Sequence, residues 1–399
     1  MESMKLLITN GQAVRNAKLE RCGIFCDRGK ILEIGDLKGK KADKVIDASG
    51  KIILPGLIDC HVHAREPGQA HKEDFLTASQ AAVAGGVTTF LAMPNTNPPI
   101  LDCETLEEER NLAVKCLVNY GFYMCGADNV AGIRKAKNIA GVKIYLDITT
   151  GDMKVDDPKL LDKLFASYKR IAVHAEGSKV GESIARIKKT KNMLYLCHLS
   201  SKEEMEMMRK EKDHRIFCEV APHHLFLTEE DEKRLGPFGR MKPSLKSKQD
   251  VEALWKGIAD GTVDTICTDH APHTIEEKKS AAPPWGVPGL QTLLPLLLDA
   301  VNRRKLSLSK VAELCCENPA KIFKIQNKGK IEEGYDADLV MVDMNLQKEV
   351  RNRDMLSKCG WTPFDRKVLK GWPVITVVGG NVVYDGAVHD NRGKEVTFG

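Results

Sequence analysis

The sequence predicts an α/β fold: a (β/α)8 TIM-like barrel with a small composite β-domain built from both termini. Three observations carry this. From about residue 50 to residue 330, short apolar runs alternate with longer amphipathic stretches, the pattern of parallel strands and covering helices. The two ends instead hold short strands and turns, and neither has enough of them to close a core alone. Polar residues recur at the C-terminal ends of the central apolar runs, where barrel enzymes place their sites, and this favours a barrel over an open sheet. Residues 1–50 and 331–399 are therefore read as the two parts of the small β-domain, and 51–330 as the catalytic barrel.

Composition narrows the class. Of 399 residues, 42% are hydrophobic and 29% charged, with 32 glycines and 17 prolines, which excludes disordered, collagen-like and coiled-coil chains. The net charge of +5 comes without a long Lys or Arg run, so neither nucleic acid nor a membrane is indicated as a partner. Twelve cysteines in a chain of this length fall well below the density of a disulfide scaffold and read as reduced core residues. Met1 to Lys5 leads into an alternating segment, not an apolar signal core, and the most apolar stretch, Leu290 to Val301, contains Asp299 and is too short to span a bilayer. The expectation is a soluble, cytoplasmic protein.

Taken in order, Lys5 to Ile8 and Gly23 to Phe25 read as strands broken at Asn10-Gly11 and at Arg28-Gly29, both hairpin signals. The barrel strands are expected at Thr88 to Ala92, Gly141 to Leu146, Ile171 to Val173, Met193 to Leu196 and Thr265 to Cys267. Helices are expected at Phe75 to Ala84, Leu160 to Tyr168, Lys202 to Lys210 and Gln249 to Ala259. At the far end, Asp338 to Val342 and Val374 to Val378 are strands, the second turning through Gly379-Gly380-Asn381 into Val382-Val383-Tyr384.

The chemistry sits at the strand ends. His61-Val62-His63 follows the run Ile52 to Ile58, and in a strand residues i and i+2 face one side, so both imidazoles can reach one ion. Alone the pair is as compatible with a structural role. Its weight comes from His174 after Ile171 to Val173, His198 after Tyr195 to Cys197, and Asp269 after Ile266 to Thr268. Imidazoles and a carboxylate without a cysteine cage suggest a catalytic zinc-type site open to water. These groups exceed what one ion needs, and a pair of ions needs a bridge. Lys143 interrupts an otherwise apolar strand; it is either a solvent-facing Lys on a half-exposed strand or a buried amine of depressed pKa that can add carbon dioxide. The resulting carbamate has two oxygens and can bridge two ions.

These residues lie in longer strings: Pro55 to Gly68, which holds His61, His63 and Arg65; Ala92-Met93-Pro94-Asn95-Thr96; Gly141-Val142-Lys143-Ile144-Tyr145; His174-Ala175-Glu176; Cys218 to Leu225; and Asp269-His270-Ala271-Pro272-His273. Together they resemble the dihydroorotases of the amidohydrolase superfamily, from Pro55 to the Trp285 region. The resemblance implies zinc-dependent interconversion of N-carbamoyl-L-aspartate and L-dihydroorotate, a small-molecule reaction and the third step of pyrimidine synthesis. It implies two zinc ions per subunit, His61 and His63 with Asp269 holding one, His174 and His198 the other, bridged by carboxylated Lys143 and a hydroxide. Asp269 would be the catalytic acid and base. Arg65 and Asn95 would bind the substrate carboxylate with His273 assisting, His63 would also touch substrate, and the main chain at Trp285 and Gly286 would contact the ring amides. Thr149 falls where the family carries a loop that closes over substrate.

The resemblance leaves room for association with an aspartate transcarbamoylase. One place departs from the family: Lys242, before Pro243, stands where relatives carry an Asn or Arg that touches substrate. Cys197 and Glu219 are open to two readings, ligands of a further ion, or a buried thiol with a supporting carboxylate. His223 and His224 belong to the family strings without an assigned role, and His71, His214 and His389 read as surface residues. The nearest alternative is a hydantoinase or allantoinase with the same fold, metals and base. Arg65 discriminates, because neutral hydantoins and allantoin carry no carboxylate that needs it. A catalytically inactive barrel kept as a scaffold would be expected to have lost ligands, and the full set is present.

Overall fold

The structure of the chain, a computed structural model, describes residues 4–149 and 153–399. The chain opens with strands β1 (Leu6–Arg15), β2 (Lys18–Asp27), β3 (Lys30–Gly35), β4 (Lys44–Asp47) and β5 (Ile52–Pro55). It continues through β6 (Leu57–Val62), β7 (Val87–Ala92), β8 (Asn119–Cys125), β9 (Gly141–Tyr145), β10 (Arg170–His174), β11 (Met193–Leu196), β12 (Ile216–Val220) and β13 (Thr265–Ile266), and closes with β14 (Leu339–Glu349), β15 (Val368–Val378) and β16 (Asn381–Tyr384). One sheet has the order β16-β15-β14-β5-β1-β2-β3, with β4 on β1, so it joins strands from both ends of the chain. The other runs β13-β12-β11-β10-β9-β8-β7-β6, all parallel. His63 N–H donates to His270 O at 2.8 Å and Val62 pairs with His270, which brings the first strand against the last and nearly closes a barrel. The (β/α)8 architecture with a composite β-sheet stands as the sequence suggests.

Period-two alternation explains how this barrel presents chemistry. Val142 and Ile144, Ile171 and Val173, and Leu194 and Leu196 point outward into the core shared with the helices. Ala172, Tyr195 and Cys197 belong to a separate interior cluster with Ile58, Leu91, Met93 and Tyr123, closed by Phe323 and Phe398. Lys143 and Tyr145 lie in register with Ala172 and His174. The inward positions are thus apolar toward one end of the barrel and polar toward the other.

Two features depart from the expected elements. Asn10-Gly11 is not a turn: β1 runs through it with a register shift between Ile8 and Gly11, and the chain reverses at Asn16-Ala17, both left-handed. Asn10 itself takes the left-handed φ of 61° that an Asn tolerates, so the same residues make a bulge instead of a hairpin. The run Ile52 to Ile58 is split at Gly56, β5 pairing with β1 and β14 while β6 enters the barrel. A Cβ at Gly56 would stand 2.1 Å from Thr88 Oγ1, so the crossing from one sheet to the other is tight enough to require glycine.

Helix termini tie directly to the site. The helix Lys202–Glu211 starts with a capping box of Ser201 and Glu204, a motif worth about 1 kcal/mol. The Glu204 carboxylate also accepts from Ser200 N at 2.8 Å and Gly177 N at 2.8 Å. One buried carboxylate therefore fixes the loops after His198 and His174 together. Among the described residues, no helix is long and apolar enough to cross a membrane.

Candidate metal centre and active site

A single cleft at the C-terminal ends of the barrel strands is lined by His61, His63, Arg65, Asn95, Lys143, His174, His198, Asp269, Trp285 and Gly286. Of the residues singled out from the sequence for metal or substrate, His273, Cys197 and Glu219 lie one contact behind the wall. Tyr145, Thr149, Lys242 and Ala271 complete the lining. Tyr145 was not singled out, although its place two residues after Lys143 on one strand puts it on the same face. Residues 150–152, next to Thr149, lie outside the described residues.

His61 Nε2 and His63 Nε2 each stand 3.2 Å from the same Asp269 oxygen. The other ring nitrogens are engaged from behind: His61 Nδ1–H donates to Glu219, and His63 Nδ1–H donates to the Asn95 amide oxygen. Each donation fixes its ring: His63, neutral, keeps its Nε2 lone pair toward Asp269, and His61 presents Nε2 to the same carboxylate and frees that lone pair once its proton is expelled. Asn95, expected to hold the substrate carboxylate, thus has its amide oxygen committed to His63, leaving its NH2 for other partners. On the adjacent strands, His174 Nδ1 and His198 Nε2 face each other at 2.9 Å, and His174 Nε2 and His198 Nδ1 have no hydrogen-bond partner among the described residues.

Lys143 is fully buried, which removes the solvent-facing reading; its Nζ is 2.8 Å from Cys197 Sγ. His61, Cys197 and Glu219 offer ligand atoms within 4.8 Å of one another, as do His61, His198 and Asp269. Glu219 also accepts from His198 N at 3.2 Å, so its carboxylate supports both a ring and a backbone of the site.

Three residues of the cleft hold left-handed backbones: Arg65 with φ 66°, His198 with φ 39° and Asp269 with φ 46°. None is glycine, and each such residue costs about 1–3 kcal/mol, a strain met at functional sites. All three follow the end of a barrel strand, where this conformation breaks the strand's alternation.

Burial pushes His63 down to about 4 and lowers His174 and His198, so these three rings are neutral near pH 7 with lone pairs free. His61 is the exception: burial opposes its charge, but Glu219 overrides this and lifts it to about 10. Asp269, despite burial, is held well below the carboxylate range by His61 and His63. Neutral imidazoles around ionised carboxylates form a donor set that fits divalent cations of borderline softness such as zinc.

Arg65 is 3% exposed, and among the described residues no carboxylate lies within ion-pair distance of its guanidinium. Its Nε donates to Pro272 O at 3.1 Å, and Nη2 is 3.1 Å from His273 Nε2. His273 Nε2 is also 2.9 Å from Trp285 O, and its Nδ1 is 3.4 Å from Lys72 Nζ. A neutral ring that donates Nε2–H to Trp285 has no lone pair there for Arg65, so the terminal Arg65 donors remain available toward the cleft. Lys242 reaches the cleft with its Nζ 3.3 Å from Glu176 and 5.9 Å from the Trp285 ring centre.

The amidohydrolase family model matches residues 52–383 of this chain, spanning every barrel strand and the residues that line the cleft. The chain belongs to the amidohydrolase family. This amidohydrolase is 35% identical over 428 residues to a dihydroorotase of Methanosarcina mazei, covering 94% of this chain and 93% of the relative. It is 36% identical over 411 residues to a dihydroorotase of Pyrococcus abyssi, covering 98% of each. It is also 39% identical over 368 residues to the multifunctional protein CAD of Squalus acanthias, where 89% of this chain spans 16% of that protein's length. Among solved structures, the L-hydantoinase (dihydropyrimidinase) of Arthrobacter aurescens superposes with a TM-score of 0.93 at 28% identity, covering 99% of this chain and 100% of that one.

Proposed function

We propose that this amidohydrolase is a zinc-dependent dihydroorotase, closing N-carbamoyl-L-aspartate to L-dihydroorotate and water, and reopening it, in pyrimidine synthesis. The observation that carries the reading is Arg65, a buried guanidinium at the cleft wall with no carboxylate paired to it among the described residues. Both substrate and product bring a carboxylate that a planar two-donor fork matches. The identity to dihydroorotases over nearly the full chain supports the same reading.

His61 and His63 with Asp269 would hold one ion, and His174 and His198 the second. Lys143 would join them as a carbamate, formed when its free amine adds carbon dioxide and releases a proton. When bound, the ions supply Lewis acidity toward the scissile amide carbonyl and acidify water. Asp269 accepts the water proton in ring opening and delivers it to the departing ring nitrogen; in closure the transfers reverse. Arg65 binds the carboxylate beside the Asn95 NH2, His273 assists from behind Arg65, and the Trp285 and Gly286 backbone meets the ring amides. Glu219 orients His61 from behind.

The hydantoinase reading is favoured by the likeness of fold, but a neutral hydantoin would leave the Arg65 charge buried and unpaired. The twelve free cysteines, ten of them buried, support a reducing, cytoplasmic setting. Similarity to a segment of a multifunctional protein supports association with other enzymes of pyrimidine synthesis. The test of the reading is elemental analysis combined with dihydroorotate turnover on one preparation: about two zinc ions per chain with turnover is expected, and a zinc-loaded protein without turnover would refute it.

A further inference from the structure

Lys278 lies outside the cleft and is fully buried, yet it has no carboxylate partner among the described residues. Its ammonium donates to three backbone carbonyls, Arg240 O at 2.9 Å, Pro284 O at 3.0 Å and Gly286 O at 3.1 Å, and it stands 5.6 Å from the centre of the Trp361 ring. Three N–H donors meet three acceptors, so the donor capacity of the ammonium is used up by carbonyls alone. Burying an uncompensated charge is costly, and a buried Lys tied only to backbone calls for a reason.

The carbonyls belong to two loops that both reach the active site. Arg240 precedes Lys242, and Pro284 and Gly286 flank Trp285; Lys242, Trp285 and Gly286 line the cleft. The loops also meet directly, through Gly286 N–H to Arg240 O at 3.1 Å and through the Arg240 guanidinium 4.9 Å from the Trp285 ring centre. Gly286 takes a φ of 134°, and a Cβ there would come within 2.5 Å of Ala271 O, so this peptide has one narrow place to sit.

We propose that Lys278 is a positioning residue for recognition of the substrate ring: it latches the Arg240 loop to the Pro284–Gly286 loop and so sets the Trp285–Gly286 backbone that faces the cleft. This rests on the dihydroorotase reading for the identity of the ring. The latch acts on binding geometry, because Lys278 touches neither the ligand cluster nor Asp269. Its loss therefore moves the Michaelis constant and leaves the chemical step and the metal content in place.

The test uses zinc-loaded Lys278→Met and Lys278→Gln proteins, the second keeping two donors and serving alone if the first does not fold. For dihydroorotate, the expected result is a KM raised about tenfold or more in Lys278→Met with kcat within about threefold, an intermediate KM in Lys278→Gln, and unchanged zinc content. Hydrogen exchange should quicken at the backbone amides of 285–287 but not in β9 and β10. A folded variant with wild-type KM and wild-type exchange at 285–287 would overturn the latch. So would equal losses in kcat and zinc, which mark a general structural role. If the wild type does not turn over dihydroorotate the functional reading fails, and the exchange measurement still decides the latch.

Discussion

His61 gives the Nδ1 side of its ring to Glu219 and the Nε2 side to Asp269, with both His61 and Glu219 about 1% exposed. A ring clamped between two carboxylates cannot rotate out of the site, and it carries a proton that a cation must displace.

That relationship sets a pH dependence for metal binding. Glu219 lifts His61 to about 10, so in the ion-free protein the ring is protonated near pH 7, and an ion that takes Nε2 must expel that proton. Raising pH removes the competing proton, so zinc affinity should rise by about tenfold per pH unit between 6.5 and 8.5. Competition with a chelator across that range measures it. In Glu219→Gln the slope should flatten, and affinity should fall by about 10–100-fold with loss of the supporting carboxylate. A pH-independent affinity in the wild type would contradict the arrangement.

Arg65→Ala should weaken substrate binding by about 2–5 kcal/mol, the cost of leaving a buried carboxylate unpaired, and the loss should appear mainly in KM. Arg65→Lys should recover only part of it, since a point charge replaces a two-donor fork. Steady-state kinetics with dihydroorotate decide the matter, and an unchanged KM in Arg65→Ala would shift the assignment toward neutral cyclic amides.

Lys143→Ala should be inactive with reduced bound zinc, and a small carboxylic acid in excess should restore part of the activity by filling the place of the carbamate. Intact mass of the active wild type under non-denaturing conditions should exceed the sequence mass by one carbon dioxide beyond the bound zinc. An unmodified amine in fully active protein would contradict the bridge.

Asp269 is assigned both proton transfers, so the two directions should respond oppositely to pH. Ring opening needs the ionised carboxylate and closure the protonated one, and closure consumes a proton overall because a free carboxylate becomes a neutral imide. Asp269 is held well below the carboxylate range in the ion-free protein, so the limbs belong to the loaded site as one coupled unit: as pH rises from about 6 to 8, opening should speed and closure should slow. Initial rates measured separately in each direction test this. Two limbs that rise together would remove Asp269 from the shared role.

The barrel was legible because its strands are apolar runs bounded by amphipathic helices, and the helix Phe75–Ala84 falls where the spacing puts it. That His61, His63, Lys143, His174, His198 and Asp269 line one cleft was legible because each lies in or just after such a run. What stayed hidden depends on contacts between distant strands. No local pattern places Glu219 behind His61, Cys197 beside Lys143, or Lys278 under the Trp285 loop. The left-handed backbones of Arg65, His198 and Asp269 were equally invisible, since none is a residue that advertises that conformation. Asn10-Gly11 misled for the opposite reason: it advertises a turn, and pairing with β2 on both sides of it converts the signal into a bulge.

The most direct test of the account is a comparison of initial rates for dihydroorotate and for unsubstituted hydantoin on the same zinc-loaded protein at equal concentrations. Because Arg65 is buried at the cleft wall and is proposed to pair with the substrate carboxylate, the account predicts turnover of dihydroorotate and turnover of hydantoin lower by at least about a hundredfold, the discrimination expected when a buried charge is left unpaired. Comparable rates on the two rings, or a preference for hydantoin, would contradict it.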